Sequence, residues 1–157
     1  MTNTVFVCAD VFTYLHSTAE PAKRRRASEW LARLWHQSRG RTSAQELAEY
    51  YVFLTHQTVP VPAERAWKEV SALFAWQPQA VDEALMGCAY EAERSYGLQW
   101  RASLMVAAAQ LQGCTVLLTE ELPDGQAFGT LRVRDPFLQA VQQPAAVYAV
   151  SRQFAMA

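Results

Sequence analysis

Long apolar runs are absent from this chain. No uninterrupted apolar segment approaches the roughly 20 residues that a membrane-spanning helix needs. The sequence also does not open with a basic stretch followed by an apolar one, which is the pattern of a secretory signal. We therefore expect a cytoplasmic protein that has no membrane partner.

Cysteine is scarce, and net charge is almost absent. The three cysteines, Cys8, Cys88 and Cys114, are an odd number without metal-ligand spacing. We therefore expect reduced, mostly buried thiols. The formal net charge is -1, so the molecule as a whole does not attract nucleic acid, and any RNA-binding surface has to be a local patch.

Motifs for nucleophilic catalysis and for phosphate binding are also missing. His16, His36 and His56 fall in three different predicted helices, without the spacing that a metal site or a catalytic pair needs. Residues 125–129 contain two glycines but follow no phosphate-binding motif. These absences argue against a histidine metal site, a serine or cysteine nucleophile and a Gly-rich phosphate loop.

Apolar residues, in contrast, are plentiful. They make up 51% of the 157 residues, and five of them are tryptophan. This is enough for one sizeable core in a single domain. We place that domain at residues 1–137 and treat residues 138–157 as a C-terminal extension. A proline and three apolar residues on one helical face predict a short amphipathic helix in the extension. These residues are Pro144, Val147, Val150 and Phe154.

The stretch Tyr96–Gln126 has the clearest pattern in the chain. Its first half predicts a helix, because apolar residues recur at helical spacing up to Leu111 and Gly113 follows. Cys114–Thr119 has the composition of a buried strand. The pair Glu120–Glu121 follows directly after this strand, and parallel sheets place their functional residues at such strand ends.

The N-terminal part alternates one strand with helices. Thr4–Cys8 predicts a short strand, and Asp10 is expected to cap the helix that follows. Pro21 is expected at the first position of the next helix. That helix begins with four cations, Lys23–Arg26, which we expect to be solvated. Consecutive helical residues point about 100° apart, so the four cannot all face one RNA strand.

Helical patterns continue through the middle of the chain. Thr42 or Ser43 is expected to cap a helix that carries Glu49, with Gln45 or Glu46 completing a capping box.

Two further helices are predicted from apolar periodicity, at residues 63–76 and 81–96. Their expected buried residues are Ala66, Trp67, Val70, Leu73, Phe74, Ala84, Leu85, Cys88 and Ala92. The five tryptophans are spread over the helices, which favours core packing over a cofactor site or a base-stacking surface.

Helices separate the three predicted strands. These strands are Thr4–Cys8, Val116–Thr119 and Leu131–Arg134. This order predicts an α/β fold, a three-layer α/β/α sandwich with a mostly parallel central sheet. The last of the three alternates apolar and basic residues, so we expect it to be an exposed final strand.

Several short motifs follow one another from Tyr96. Tyr-Gly-Leu and a tryptophan precede an alanine-rich helix, Gly-Cys precedes an apolar strand, and Thr-Glu-Glu-Leu and Gly-Gln follow it. This order resembles the PIN-domain family, the metal-dependent ribonucleases that include the VapC toxins of toxin–antitoxin systems. Residues 43–51 match in register a second motif of the family, Ser-x-Gln-x-x-x-Glu-Phe-Tyr, with Tyr50 in the place of the phenylalanine. The resemblance extends over nearly the whole chain to Phe137 and implies a PIN-like fold.

The resemblance also implies a site. Members of the family hold Mg²⁺ or Mn²⁺ with acidic residues at four positions, because phosphodiester hydrolysis needs carboxylates that converge on the ion. The matching residues here are Cys8, Glu49, Arg101 and Glu121. If a metal binds, the implied ligands are Asp10, Glu49, Glu120 and Glu121.

Arg101 puts a cation where the family carries an aspartate. It is expected in the first turn of a helix, where the macrodipole disfavours positive charge, so nearby carboxylates would stabilise it. We expect Glu49 and Glu121 to be those partners, with the guanidinium in the place of the metal. The expected remnant cleft consists of Asp10, Glu49, Arg101 and Glu121.

Two functional hypotheses follow. In the first, a VapC-like protein with a degenerate acidic site is impaired in metal-dependent RNA cleavage. It needs no cofactor and binds RNA, an antitoxin peptide or another subunit. In the second, the chain is an active Mg²⁺- or Mn²⁺-dependent endoribonuclease toxin that uses Asp10, Glu49, Glu120 and Glu121. A homodimer is expected in both, because members of the family commonly dimerise.

Overall fold

A computed structural model describes residues 3–138. The extension after Leu138, including the helix expected after Pro144, lies outside the described residues.

The helices are α1 (Ala9–Thr13), α2 (Pro21–His36), α3 (Ala44–His56), α4 (Ala63–Ala72), α5 (Glu83–Tyr96) and α6 (Trp100–Leu111), with 3₁₀ turns at Tyr14–His16 and Leu73–Trp76. The strands are β1 (Val5–Val7), β2 (Gly40–Arg41), β3 (Val116–Leu118), β4 (Ala127–Phe128) and β5 (Leu131–Arg134). Within the described range, no helix has the length and apolarity to cross a membrane.

One five-stranded sheet forms the middle layer. Its strands lie in the order β2-β1-β3-β5-β4, and neighbouring strands are parallel except β4 and β5. Helices α5 and α6 contribute to the core on one face, and α1 to α4 contribute to the core on the other. The predicted three-layer α/β/α sandwich with a mostly parallel sheet is confirmed.

Small side chains allow α6 to pack closely on the sheet. Residues 107–109, all alanine, are fully buried and share a core with Phe6 of β1 and Leu117 of β3. The helix ends at Leu111, and Gly113 has a φ of 68°. Glycine adopts this left-handed conformation without steric cost, so the chain turns from α6 into β3 within a few residues.

Aromatic side chains fill the core on the opposite face. The ring of Phe12 in α1 stacks on that of Tyr50 in α3, with centroids 5.2 Å apart, and lies 6.2 Å from Trp76. Helix α3 begins after Ser43, whose hydroxyl accepts the N–H of Glu46. These contacts hold α3 beside α1, next to the carboxyl end of β1.

Three strands differ from the prediction: β2 and β4 were not predicted, and β5 has a different place in the sheet. Strands β2 and β4 have two residues each, which is too short for alternation to be visible in the sequence. Strand β5 was expected to be exposed, but it pairs with both β3 and β4, and its residues Leu131 and Val133 are buried. That prediction is wrong, because the alternation reflects the two faces of an internal strand.

Several helical residues expected in the core are exposed instead. Trp67 is 56% exposed and Phe74 48%. Leu111, Ala84 and Cys88 are also exposed. Helical periodicity identifies residues that share a face, but it does not show how much of that face a neighbour covers. Helices α4 and α5 bury only narrow stripes.

The Lys23–Arg26 run is only partly solvated. Its two middle arginines are exposed. Lys23, however, forms an ion pair with Glu120 at 3.0 Å, and Arg26 is buried, with its Nε donating to the carbonyl of Pro136 at 3.1 Å. The prediction is therefore wrong for Lys23 and Arg26, which attach the start of α2 to the segments after β3 and β5.

The carboxyl ends of β1 and β3 lie side by side. Val7 is in register with Leu118, and the N–H of Cys8 donates to the carbonyl of Leu118 at 3.2 Å. Residues that follow these two strands therefore meet at the carboxyl end of the sheet.

Candidate functional site

Arg101 lies between two carboxylates at the carboxyl end of the sheet. Its Nε and Nη2 donate to the two oxygens of Glu49 at 2.9 and 2.6 Å, which is a bidentate pair. Its Nη1 donates to Glu121, which follows β3. Hydrogen bonds to Glu49, and then those to Glu121, raise the pKa of Arg101 above its ordinary value. The structure thus brings together three residues of the expected remnant cleft.

The position of Arg101 on its helix explains why it needs these partners. It is the second residue of α6, and the cap residue, Gln99, makes no side-chain capping bond. A cation in this turn opposes the helix dipole unless carboxylates receive it. The Arg101 side chain is 43% exposed, so solvent screens its ion pairs, and they stabilise the fold only modestly.

Asp10 occupies the first turn of α1 and is not its cap. The cap residue is Cys8, which makes no side-chain capping bond. One oxygen of Asp10 accepts the hydroxyl of Thr119 at 2.9 Å and the N–H of Glu120 at 2.8 Å. The other oxygen, Oδ1, is buried and has no partner among the described residues. Burial raises the pKa of Asp10 to about 6. The predicted cap is wrong, because the carboxylate joins α1 to the end of β3.

Glu120 has partners of its own. Its two oxygens accept the hydroxyl of Tyr14 and the ammonium of Lys23. Lys23 also donates to Tyr14 at 3.3 Å and lies 5.0 Å from the centre of its ring. Both carboxylate oxygens of Glu120 are therefore occupied.

Two further groups, Cys8 and Glu46, are buried beside these residues. We define the acid cluster as the carboxyl groups of Asp10, Glu46, Glu49, Glu120 and Glu121. Burial raises the pKa of Cys8 well above that of a free thiol. Glu46 is fully buried; one of its oxygens accepts the N–H of Ala9 at 2.7 Å, and Oε1 has no partner within residues 3–138. Burial raises the pKa of Glu46 to about 8, so this carboxyl group is mostly neutral at pH 7.

Sequence reasoning missed the role of Glu46. Ser43 caps α3 as expected, but the Glu46 carboxyl group bonds to Ala9 and does not complete a capping box. Its position, three residues after the cap, is also that of an ordinary capping glutamate. Only the packing of α1 against α3 shows that it is buried beside the cluster.

A cleft of about 710 Å³ opens beside Asp10 and Glu120. Its wall includes apolar side chains, Phe53, Val59 and Val61. The surrounding formal charge is negative, because four acidic side chains outnumber the two cations, Arg101 and Lys23, even without Glu46. The carboxylates are Asp10, Glu49, Glu120 and Glu121.

Two solved structures have a similar architecture. The first is VapC20 of Mycobacterium tuberculosis, described as a toxin that cleaves the sarcin-ricin loop. It has a TM-score of 0.55 and 18% identity over 82% of this chain and 99% of that one. The second is a toxin–antitoxin complex from Klebsiella pneumoniae, with a TM-score of 0.56 and 16% identity over 85% of this chain and 98% of that one. This chain has the PIN-like fold of VapC toxins. No protein-family model matches the sequence, and no curated protein does.

The VapC-like fold raises the question of whether these residues fit a divalent metal. Within residues 3–138, no three His, Cys, Asp or Glu side chains are grouped as a metal site would need. Glu49 and Glu121 bind the guanidinium of Arg101, and Glu120 binds Lys23 and Tyr14. Of the four implied ligands, Asp10 keeps one buried oxygen without a partner among the described residues, and Glu121 uses one of its oxygens in the bond to Arg101. The donor set therefore does not fit a divalent ion in this arrangement.

Proposed function

We propose that this chain is a cytoplasmic, VapC-like protein whose acidic site is degenerate, and that it acts by binding instead of by metal-dependent RNA cleavage. The observation that carries the proposal is the bidentate pairing of Arg101 with Glu49 and its further bond to Glu121. The guanidinium uses the carboxylates that a metal ion would need.

Electrostatic magnitudes support the proposal. Two unit charges 4 Å apart interact by about 4 kcal/mol at an effective dielectric constant of 20, and a divalent ion doubles this. Binding at millimolar affinity amounts to only about 4 kcal/mol. A guanidinium beside the ion would therefore cancel weak metal binding.

The cleft beside the cluster favours a peptide over RNA at this position. Its excess of carboxylates repels phosphate, whereas its apolar wall and acidic rim suit apolar and basic side chains. An antitoxin-like peptide of that chemistry is the partner that we propose for the cleft. We also propose a homodimer, which size-exclusion chromatography with light scattering would test.

One observation favours the alternative, an active Mg²⁺- or Mn²⁺-dependent endoribonuclease. Asp10 and Glu46 each keep one buried oxygen without a partner among the described residues. Buried polar atoms normally have partners, and a metal ion or its water would supply one. Protonation of Glu46, whose pKa burial raises to about 8, accounts for its oxygen without a metal.

A metal titration with an RNA cleavage assay separates the two functions. We predict no saturable Mn²⁺ binding by calorimetry and no metal-dependent cleavage of single-stranded RNA by the parent chain. The double variant Cys8→Asp/Arg101→Asp restores two carboxylates, so it should bind Mn²⁺ and gain cleavage. Arg94→Asp, which makes the same charge change as Arg101→Asp at an exposed site on α5, serves as the control and should gain neither.

Saturable Mn²⁺ binding together with cleavage by the parent chain would refute the proposal. Because Cys8 is buried, the double variant can fail to fold. The single variant Arg101→Ala keeps the test valid, since removal of the cation alone should make Mn²⁺ binding measurable.

A further inference from the structure

A second cleft, of about 440 Å³, lies at the outer edge of the sheet. We call it the Trp35 cleft. It is lined by Trp35, Ser38, Arg41, Ala75, Trp76 and Gln77. It shares no residue with the acid cluster, and none of its residues has been assigned a role above.

The Trp35 cleft and the acid cluster lie at opposite ends of the sheet. Strand β2 contributes Arg41 and pairs with the start of β1, with Gly40 in register with Val5. The acid cluster follows the carboxyl ends of β1 and β3. No carboxylate of the acid cluster lines the Trp35 cleft, so a phosphate bound there would not meet those carboxylates directly.

Two indole rings form the apolar part of the cleft. Trp76 is buried against Gly40, where a Cβ atom would come within 2.3 Å of the ring. Trp35 lies beside it, with ring centroids 6.0 Å apart and planes tilted by 39°, and is 49% exposed. An indole held by a buried neighbour but open to solvent can stack on a planar ligand.

The polar part of the cleft is cationic. The Arg41 guanidinium donates to the backbone carbonyls of Gly40 and Ser38, and in the described part of the chain it has no carboxylate partner. Arg39, two residues earlier, bonds to neutral groups of Asn3 and Gln37. The positive charge at this edge is therefore not neutralised by an ion pair and can attract an anion.

The backbone is unusual at the same place. Ser38 and Gln77 have φ values of 55° and 52°, and they are the two non-glycine residues with positive φ among residues 3–138. Both line the Trp35 cleft. Both residues end helical segments, where a left-handed residue is a common cap, so this conformation shapes the wall of the cleft and is not itself evidence of a ligand.

We propose that the Trp35 cleft binds a nucleotide unit, with the base stacked on Trp35 and the phosphate at Arg41. An exposed aromatic ring beside an arginine is the combination that binds single-stranded nucleic acid without sequence preference. The unit can come from single-stranded RNA or from a free nucleotide. This inference adds a ligand site to the proposed binding role and does not depend on the state of the acid cluster.

The test uses the full chain in EDTA, so that metal-dependent cleavage does not interfere. The probes are a fluorescein-labelled oligouridine of about 12 nucleotides, followed by anisotropy, and uridine monophosphate, followed by tryptophan quenching. Trp35→Ala should weaken binding about tenfold, as expected for loss of one base stack, while Trp35→Phe should retain most of it. Arg41→Gln should lower the salt dependence of RNA binding by about 0.7 in log–log slope.

Matched controls come from α4. Trp67→Ala removes another exposed indole and Arg65→Gln another exposed guanidinium, and neither should change binding. Thermal unfolding and light scattering of each variant check that it is folded and has the parent's oligomeric state.

If the Trp35 and Arg41 variants selectively weaken RNA binding, the proposal is supported and the bound nucleotide unit belongs to RNA. If they selectively weaken only the binding of uridine monophosphate, the proposal is supported and the ligand is a free nucleotide. Three results would overturn it: binding of neither probe, equal weakening by the α4 controls, or a change of oligomeric state by Trp35→Ala in place of lost binding. Cleavage in Mn²⁺ by the parent chain would refute the proposed function but leave this inference intact.

Discussion

At the scale of single residues, pairing and burial decide which carboxyl groups of the acid cluster carry charge. Arg101 donates hydrogen bonds directly to Glu49 and Glu121. Glu46 has no cation bonded to it, and burial raises its pKa to about 8. Two carboxyl groups of the same helix, α3, therefore have different environments: Glu49 is paired with a cation, and Glu46 is buried without one.

Glu46 should make the protein less stable as pH rises. An unfolded glutamate titrates near 4.5, whereas burial raises the pKa of Glu46 in the folded chain to about 8. Between these values the unfolded chain releases a proton that the folded chain keeps, so the free energy of unfolding falls by at most about 1.4 kcal/mol per pH unit. Glu46→Gln should remove this dependence. Urea unfolding of the parent and the variant from pH 5 to pH 8 measures the difference.

Glu64→Gln is the control for that measurement, because Glu64 is exposed on α4. It should follow the pH dependence of the parent chain. Parallel curves for the parent and Glu46→Gln would show that burial does not keep the Glu46 proton in place.

Some of these residue-level features were predictable from the sequence. The register of the family motifs placed Glu49, Arg101 and Glu121 together, and the ion pairs between them are present in the structure. The buried state of Glu46 and the pairing of Lys23 with Glu120 were not predictable, because they depend on contacts between residues 37 and 97 positions apart.

At the scale of elements, Gly40 determines how Trp76 packs against β2. A Cβ atom at this position would lie 2.3 Å from the indole ring. We predict that Gly40→Ala lowers the free energy of unfolding by about 1–3 kcal/mol, the usual cost of overpacking, and shifts the tryptophan fluorescence. Chemical denaturation followed by fluorescence measures both effects.

Gly87→Ala is the matched control, with the opposite expected sign. Gly87 lies inside α5, and a Cβ atom there would have no neighbour within 4 Å. Alanine should therefore raise the free energy of unfolding by about 0.5–1 kcal/mol through helix propensity. Equal effects of the two substitutions would contradict the packing described for Trp76.

The helices and the strands of three or more residues were predicted, and the two-residue strands were not. The α6 and β3 segments have periodicity or β-branched composition over several residues, and both are present. Strands β2 and β4 contain two residues each and exist only because β1 and β5 lie beside them. The expectation that the tryptophans only fill the core is wrong for Trp35 and Trp67, because periodicity does not reveal which faces remain uncovered.

At the scale of the whole molecule, the parallel sheet separates two chemically different edges. Residues after the carboxyl ends of β1 and β3, together with Glu46 and Glu49 of α3, form the acid cluster, and Arg41 of β2 contributes to the cationic Trp35 cleft. A net charge of -1, which sums 14 cations and 15 anions over the whole chain, does not reveal this separation. The fold follows from the order of strands and helices in the sequence, but the separation of charge follows only from the sheet topology.

The most direct test of the role of Arg101 is a crystal structure of the parent chain grown in millimolar Mn²⁺, with anomalous scattering measured at the manganese edge. We predict that the Arg101 guanidinium remains bonded to Glu49 and Glu121 and that no anomalous peak lies among the carboxylates. A manganese peak bound by Asp10, Glu49 and Glu121, with the guanidinium turned out to solvent, would contradict this.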